Sequence, residues 1–354
     1  MATLYLTEQR SVVKKDGETL IVKIPANKEK GTEKRTVRVP LIKIDQVIVQ
    51  GDSTLTTPAL LALLQQRADI CFCSYYGQFR GRLAAGFSKN SLLRIEQHRW
   101  HDNPERSLAL ARLFVQGKLA NQRTLLLRTN RKRKDPSVAK AADDIKGVLK
   151  QVPTVQRAED ETIDPRVPQA GTAWGTLLGL EGAAAAFYFT AFQELLKQDL
   201  DFCGRKKRPP TDPVNALLSY GYTLLMNKIA SAIQLVGLDP YIGFLHSSQY
   251  GKPALALDLM EEFRPVIVDS VVLTLVNNRI LQANNFRQEF GVYWIKESAR
   301  KTFLSKFEER LNTKIKHPTF AYQATYRKCL ELQVRLLAKT LTGEIPAYRP
   351  FIVR

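Results

Sequence analysis

The sequence predicts an α+β protein, with a small N-terminal β-sandwich-like domain over residues 1–86 and a large all-α domain over residues 87–354. Two observations carry this. Apolar and polar residues alternate with a period of two through about the first 85 residues, the pattern of half-buried strands. From about Ser88 onward the apolar period lengthens to 3.6, the pattern of amphipathic helices. No period of 20–50 residues repeats, which excludes a solenoid.

The alternation places strands at Thr3–Leu6, Ser11–Lys15, Thr19–Ile24, Lys34–Pro40, Gln46–Gln50, Ile70–Ser74 and Phe79–Leu83. The polar stretch Pro25–Glu33 reads as a long hairpin loop. One helix interrupts the strands: Thr57 as cap and Pro58 at the first helical position precede Leu60, Leu61, Leu63 and Leu64. Helices are then predicted over Asn90–Gln116 (with a break near Asn103 and Pro104), Lys118–Asn130, Ser137–Lys150, Gln169–Leu200, Val214–Val236, Ala254–Asn278, Ser298–Leu311 and Thr319–Leu341. With a single helix to cover it, the N-terminal sheet must close on itself, pack on the α domain or bury a face against a second copy.

The formal net charge is +19, from 53 Lys and Arg against 34 Asp and Glu, so nucleic acid is the first partner to consider and an anionic membrane the second. The stretch from Lys118 to Lys150 alone holds ten basic and three acidic residues. No apolar run reaches the ~18 residues of a membrane span, and no secretory signal stands at the start. Cys71, Cys73, Cys203 and Cys329 form neither a disulfide framework nor a zinc site and read as small buried hydrophobes. A reducing cytoplasm is the expected compartment.

Four elements point to chemistry. Glu181 is a lone charge in an apolar helix flanked by Gly179, Gly182 and Ala183–Ala186. A carboxylate there is costly unless paired or metal-bound, though a narrow exposed stripe or a buried salt bridge also fits. His246 follows the apolar Gly243–Leu245 and precedes a loop leading to an acidic helix. A lone histidine is more often structural, and its meaning depends on partners. His98 and His101 lie in an Arg-rich surface stretch, and His317 in a basic loop. Asp258 and Glu261 are three apart and share one helix face among Leu257, Leu259, Met260 and Phe263. Two such carboxylates repel unless a cation sits between them. With an imidazole they suit Mg²⁺ or Mn²⁺, although the pair alone also fits an acidic stripe. Glu262, about 100° round the helix, reads as a surface or ion-pairing residue, and from sequence it could exchange roles with Glu261. Arg264, one turn on, is placed to meet a phosphate. Finally, Arg205, Lys206, Lys207 and Arg208 precede a helix capped by Thr211 or Asp212, with Asn215, Ser219, Tyr220 and Tyr222 on its first turns. This reads as an anion-binding entry, and Asn215 and Tyr220 are candidate DNA contacts; buried core tyrosines are the commoner case.

Taken in order, Leu-Glu-Gly-Ala-Ala, Arg-Pro-Pro-x-Asp-Pro-Val-Asn-Ala-Leu-Leu-Ser-Tyr-Gly, Gly-Phe-Leu-His and Leu-Ala-Leu-Asp-Leu-Met-Glu-Glu-Phe-Arg-Pro resemble the CRISPR-associated spacer-acquisition integrase family, the larger of the two core adaptation proteins. Leu55-Thr-Thr-Pro-Ala-Leu-Leu, Asn121-Gln-Arg and Phe303-Leu-Ser-Lys-Phe-Glu-Glu-Arg-Leu extend the likeness over nearly the whole chain. The resemblance implies a homodimer joined largely through the β domains. It also implies a small ferredoxin-like partner completing a heterohexamer, and double-stranded DNA as prespacer and repeat. It assigns metal ligation to Glu181, His246 and Glu261, with Asp258 as a further acid in the same pocket. The family often has Asp where Glu261 stands, and the segments 26–34 and 131–168 look longer than the family minimum. No fused polymerase or helicase motif is seen.

The implied reaction is transesterification, with a 3′-hydroxyl attacking a repeat phosphodiester; water in its place makes a nuclease. Two rivals stand beside it. One is a stand-alone metal nuclease on branched DNA, and the other is a basic DNA scaffold without catalysis.

Overall fold

The protein was analysed as a computed structural model that describes residues 2–27, 31, 33–86, 88–158, 171–206, 209–246 and 249–353. The chain divides into two compact units, Met1–Phe87 and Ser88–Arg354.

The first unit holds β1 (Ala2–Leu6), β2 (Ser11–Asp16), β3 (Thr19–Ile24), β4 (Arg35–Pro40), β5 (Ile44–Gln50), β6 (Ser53–Leu55), α1 (Thr57–Gln65), β7 (Asp69–Cys73) and β8 (Phe79–Leu83). They form two four-stranded sheets, ordered β1-β5-β7-β8 and β4-β3-β2-β6. β1, β5 and β7 run parallel, whereas β2, β3 and β4 form an antiparallel meander. The β2–β3 hairpin turns through Gly17 at φ 55, which glycine adopts without steric cost. Leu6, Val47, Val49 and Ile70 from one sheet share a core with Val13, Leu20 and Val22 from the other and with Ala59 and Leu63 of α1. The sheets therefore cover one another, so the N-terminal sheet closes on itself, and the burial of apolar faces gives no argument for a second copy. Strand β6 was not expected. The cap of α1 is Thr56 rather than Thr57, and its side chain makes no capping bond.

The second unit holds α2 (Ser91–Asp102), α3 (Pro104–Asn130), α4 (Pro136–Gln151), α5 (Ala173–Leu195), α6 (Pro213–Val236), α7 (Ala254–Glu261), α8 (Ser270–Asn277), β9 (Phe286–Glu289), β10 (Val292–Ile295), α9 (Glu297–Asn312), β11 (Lys314–Lys316), β12 (Gln323–Thr325) and α10 (Tyr326–Leu341). The break at Asn103 is real, because that side chain accepts the Arg106 N–H and Pro104 starts the next helix. α3 then runs unbroken through Gly117. Two predicted helices are corrected. The stretch 254–278 is interrupted by a π-helical turn, Arg264–Asp269, because Pro265 has no N–H with which to continue the ladder. The stretch before Tyr326 is the β11–β12 hairpin. His317, expected in a loop, is buried there, and its Nδ1 accepts the N–H groups of Thr319 and Phe320. Cys71, Cys73 and Cys329 are buried, whereas Cys203 is exposed, against expectation. Among the described residues no helix is long and apolar enough to cross a membrane.

Candidate functional site

The site is assembled from α3, α5, α7 and the loop ending at His246. Asp212 caps α6 by accepting the Asn215 N–H at 2.8 Å, and Gly237 at φ 106 ends that helix. The chain then passes into 238–246, which α2 and α5 hold in place. The Gln97 amide donates to the carbonyls of Asp239 and Ile242, both at 2.8 Å, and accepts the Asp239 N–H. His101 donates from Nδ1 to the Gly243 carbonyl at 2.6 Å, a tautomer fixed because a carbonyl only accepts. Trp174 donates to the Phe244 carbonyl. His101 is thus part of the scaffold, not the surface residue expected.

Asp258 organises the end of this loop. Its carboxylate accepts the N–H groups of Phe244, Leu245 and His246 at 2.6, 3.0 and 2.9 Å. It also takes the His246 Nδ1 proton at 2.8 Å. Gly243 makes this approach possible, since a Cβ there would stand 2.6 Å from Asp258 Oδ2. Asp258 is completely buried, so it does not face DNA, and both its oxygens are taken by these four donors. It is a positioning residue that leaves the His246 Nε2 lone pair directed away from it.

His246 Nε2 lies 4.0 Å from Glu261 Oε1. Lys118 of α3, in a helix that reads as a basic surface, joins the two acids: it pairs with Glu181 of α5 and stands 2.9 Å from Glu261 Oε2. The second contact is close but poorly aligned, so this buried oxygen accepts no hydrogen bond. Arg264 meets the other oxygen of Glu261 at 2.9 Å. Burial pushes the Glu261 carboxyl up, but Arg264, Lys118 and His246 outweigh it and hold it well below the usual range. Burial pulls the Lys118 ammonium down, and Glu181 and Glu261 more than reverse this. Two carboxylates thus share a cation, as their proximity requires.

Behind Arg264 stands a tyrosine pair. Tyr188 and Tyr222 each donate to Asp269, at 2.6 Å. The Arg264 and Arg205 guanidiniums lie 4.9 and 5.4 Å from the Tyr222 ring centre. The π turn lets Arg264 and Asp269 approach the same tyrosine. Burial pushes the Asp269 carboxyl up to about 6 despite both hydroxyls.

The model of the family described as CRISPR associated protein Cas1 matches residues 4–309. The chain belongs to the Cas1 family. It is 38% identical over 354 residues to a CRISPR-associated endonuclease Cas1 of Thermus thermophilus, covering 100% of this chain and 98% of that one. It is also 38% identical over 360 residues to a CRISPR-associated exonuclease Cas4/endonuclease Cas1 fusion of Geobacter sulfurreducens, covering 99% of this chain but 60% of the fusion. The fold is shared with a casposase bound to integration product (TM-score 0.82, 23% identity, 99% and 93% of the two chains). It is shared too with a CAS1 protein from Thermotoga maritima (TM-score 0.76, 24% identity, 100% of both).

Of the residues that the Cas1 resemblance singled out, Glu181 and Glu261 gather around Lys118, with His246 beside Glu261 and Asp258 behind His246. As they stand they are not a finished cage: among the described residues no three His, Cys, Asp or Glu side chains are spaced to hold a metal ion. The expected DNA contacts divide. Lys206 is exposed, Arg264 is half-buried beside Glu261, and Lys207 and Arg208 lie outside the described residues. Asn215 is a correction: fully buried, it is consumed by Arg205, the Lys206 N–H, the Gly204 carbonyl and Asp212. Tyr220 is another, buried edge-on against Phe303 with ring centres 5.3 Å apart. Tyr222, on the other face of α6, is the one beside the arginines. Arg205 bonds Asn215 and Ser219. Glu262, expected at the surface, is completely buried.

Proposed function

We propose that this chain is a metal-dependent DNA integrase and endonuclease that inserts short DNA fragments into a CRISPR array. The observation that carries the reading is the pair of carboxylates, Glu181 and Glu261, sharing the buried Lys118 ammonium next to an imidazole whose Nδ1 is committed to Asp258. The donor set fits a Mg²⁺ or Mn²⁺ ion. Two acids and a free Nε2 are hard or borderline ligands, Glu261 Oε2 lacks an aligned donor, and Lys118 already marks where positive charge is required. Held by Glu181, His246 and Glu261, the ion would supply Lewis acidity at the phosphoryl oxygen and make the attacking hydroxyl a better nucleophile.

The chain's own groups do the rest. Asp258 keeps the proton on His246 Nδ1. Lys118 offsets the repulsion of the two acids. Arg264, braced by Tyr222, presents a guanidinium to a phosphate. The bond from phosphorus to the incoming 3′ oxygen forms as the bond to the repeat's own 3′ oxygen breaks, the first oxygen losing a proton and the second gaining one. Gly179 and Gly182, near Glu181 on α5, meet nothing among the described residues within 4 Å of a built Cβ and leave an open approach for a DNA backbone.

Double-stranded prespacer and repeat DNA are the proposed substrates, bound mainly by cations such as the exposed Arg131–Lys134, since phosphate contacts dominate affinity. A homodimer, and a small ferredoxin-like adaptation protein making a heterohexamer with it, are the proposed partners. A solved Cas6-RT-Cas1–Cas2 complex that shares the fold, at TM-score 0.75 and 23% identity, supports a Cas2 protein as partner; the chain spans 36% of that neighbour. The test is a joining assay on repeat-containing DNA with Mg²⁺ or Mn²⁺. Joined strands from the wild type and none from Glu181→Gln are expected. Cleavage without joining would favour a stand-alone nuclease, and equal behaviour of the two chains a scaffold.

A further inference from the structure

The segment after α10 makes contacts that the proposed reaction does not use. Residues 348–353 lie in irregular conformation, with Tyr348 and Phe351 buried. Asn121 of α3 donates to the carbonyls of Glu262 and Phe351, both at 2.7 Å, and accepts the Val353 N–H at 2.9 Å. The Glu262 carboxylate accepts the Phe351 N–H at 2.7 Å, the Tyr348 hydroxyl at 2.8 Å and the Gln333 amide at 3.2 Å. The Phe351 ring stacks on Phe263 at 4.6 Å. Gly117 admits this packing, because a Cβ there would stand 2.8 Å from Glu262 Cγ and 3.0 Å from Pro350 Cβ.

These contacts fall on the chain neighbours of the site. Gly117 precedes Lys118 and Glu262 follows Glu261. α7 is only Ala254–Glu261, and the π turn that follows it interrupts the regular helical ladder beside Glu261. The π turn leaves the Glu262 carbonyl without its usual helical partner, and Asn121 supplies one. We propose that residues 348–353 form a positioning strap that fixes α3 against the end of α7, setting Glu261 for metal binding, with Asn121 and Tyr348 as its positioning residues. The proposal rests on the metal-dependent function proposed for this site.

The test is Mn²⁺ titration of the full chain, with free ion read by electron paramagnetic resonance. The wild type is compared with Asn121→Ala, Tyr348→Phe, Glu261→Gln and Val138→Ala, the last a core change in α4 at a buried position remote in sequence from the strap. The expectation is that Glu261→Gln abolishes tight binding. Asn121→Ala should weaken it by about 10-fold or more, as removal of groups that orient metal ligands does, and Tyr348→Phe by a few-fold, both with native circular dichroism. Val138→Ala should bind as the wild type does, although its melting temperature falls. Tyr348→Phe deletes one hydroxyl and keeps the test open if Asn121→Ala does not fold. Wild-type affinity in Tyr348→Phe and in folded Asn121→Ala, with Glu261→Gln impaired, would overturn the strap. Equal weakening in Val138→Ala would reduce it to general stability. Equal binding by wild type and Glu261→Gln would remove the metal reading, and the strap with it.

Discussion

Each of the two units buries a cluster of charge, and they do so differently. In the β unit, Asp69 and Arg82 on adjacent strands pair at 3.3 Å, with side chains 9% and 11% exposed, and Gln46 also donates to Asp69 at 3.2 Å. The acid and the guanidinium meet directly. In the helical unit, Glu181, Lys118, His246 and the neighbours Glu261 and Arg264 come from four separate segments and share contacts, with Glu261 touching two cations at once. A buried acid paired directly with a guanidinium holds a fold. A shared set can release one cation and accept another, which a metal site requires, and it remains 14–21% open at Glu181, Arg264 and His246.

Glu261→Gln should break that contrast most sharply. Strand transfer is expected to fall by at least about 100-fold, since metal stabilisation of the transition state is worth several kcal/mol. Joining assays run where circular dichroism shows a folded chain check this. Asp69→Ala should do the reverse. Leaving Arg82 buried without its acid costs about 3 kcal/mol or more of stability, while joining per folded molecule stays unchanged; denaturant titration beside the same assay separates the two. Asp258→Asn should be intermediate, lowering Mn²⁺ affinity by about 10–100-fold, because an amide cannot accept all four donors that converge there. Metal titration reads that loss, and DNA affinity should hold.

The smallest effect concerns pH. Asp269 faces Tyr188, Tyr222, Arg205 and Arg264, and burial raises it from 3.8 to about 6. A carboxyl raised on folding holds its proton more tightly in the folded chain, so its contribution to stability falls as pH rises from about 4 to 6 and is lowest above that. The stability of Asp269→Asn relative to the wild type should therefore climb across this window and then level. Melting temperatures in parallel check it, and a flat difference would contradict the assignment.

How much of this could be read beforehand depended on period and chemistry. The alternating strands β1–β5, β7 and β8 and the long amphipathic helices were legible because one face of each is apolar. The hairpins β9–β10 and β11–β12 were not: their strands are only three or four residues long, and Phe290 takes a turn position at φ 50 that such side chains rarely adopt. Glu181, His246, Asp258 and Glu261 were visible as polar groups in apolar surroundings. Their division of labour was not, because sequence does not say which acid points at backbone N–H groups. Periodicity left Glu261 and Glu262 interchangeable, and it favoured Tyr220 as a DNA contact where packing puts Tyr222 beside the arginines. Lys118 was hidden in a run of cations that otherwise reads as surface. Gln97 and Trp174 gave no signal, since their partners are backbone carbonyls far along the chain.

Glu181, His246 and Glu261 are proposed to hold a divalent ion in place of the charge Lys118 now supplies. Anomalous diffraction from crystals grown with Mn²⁺ tests it directly. A peak bounded by the two carboxylates and His246 Nε2 is expected, with the Lys118 ammonium moved off Glu261. Lys118 still bridging both acids, with no manganese peak beside them, would contradict it.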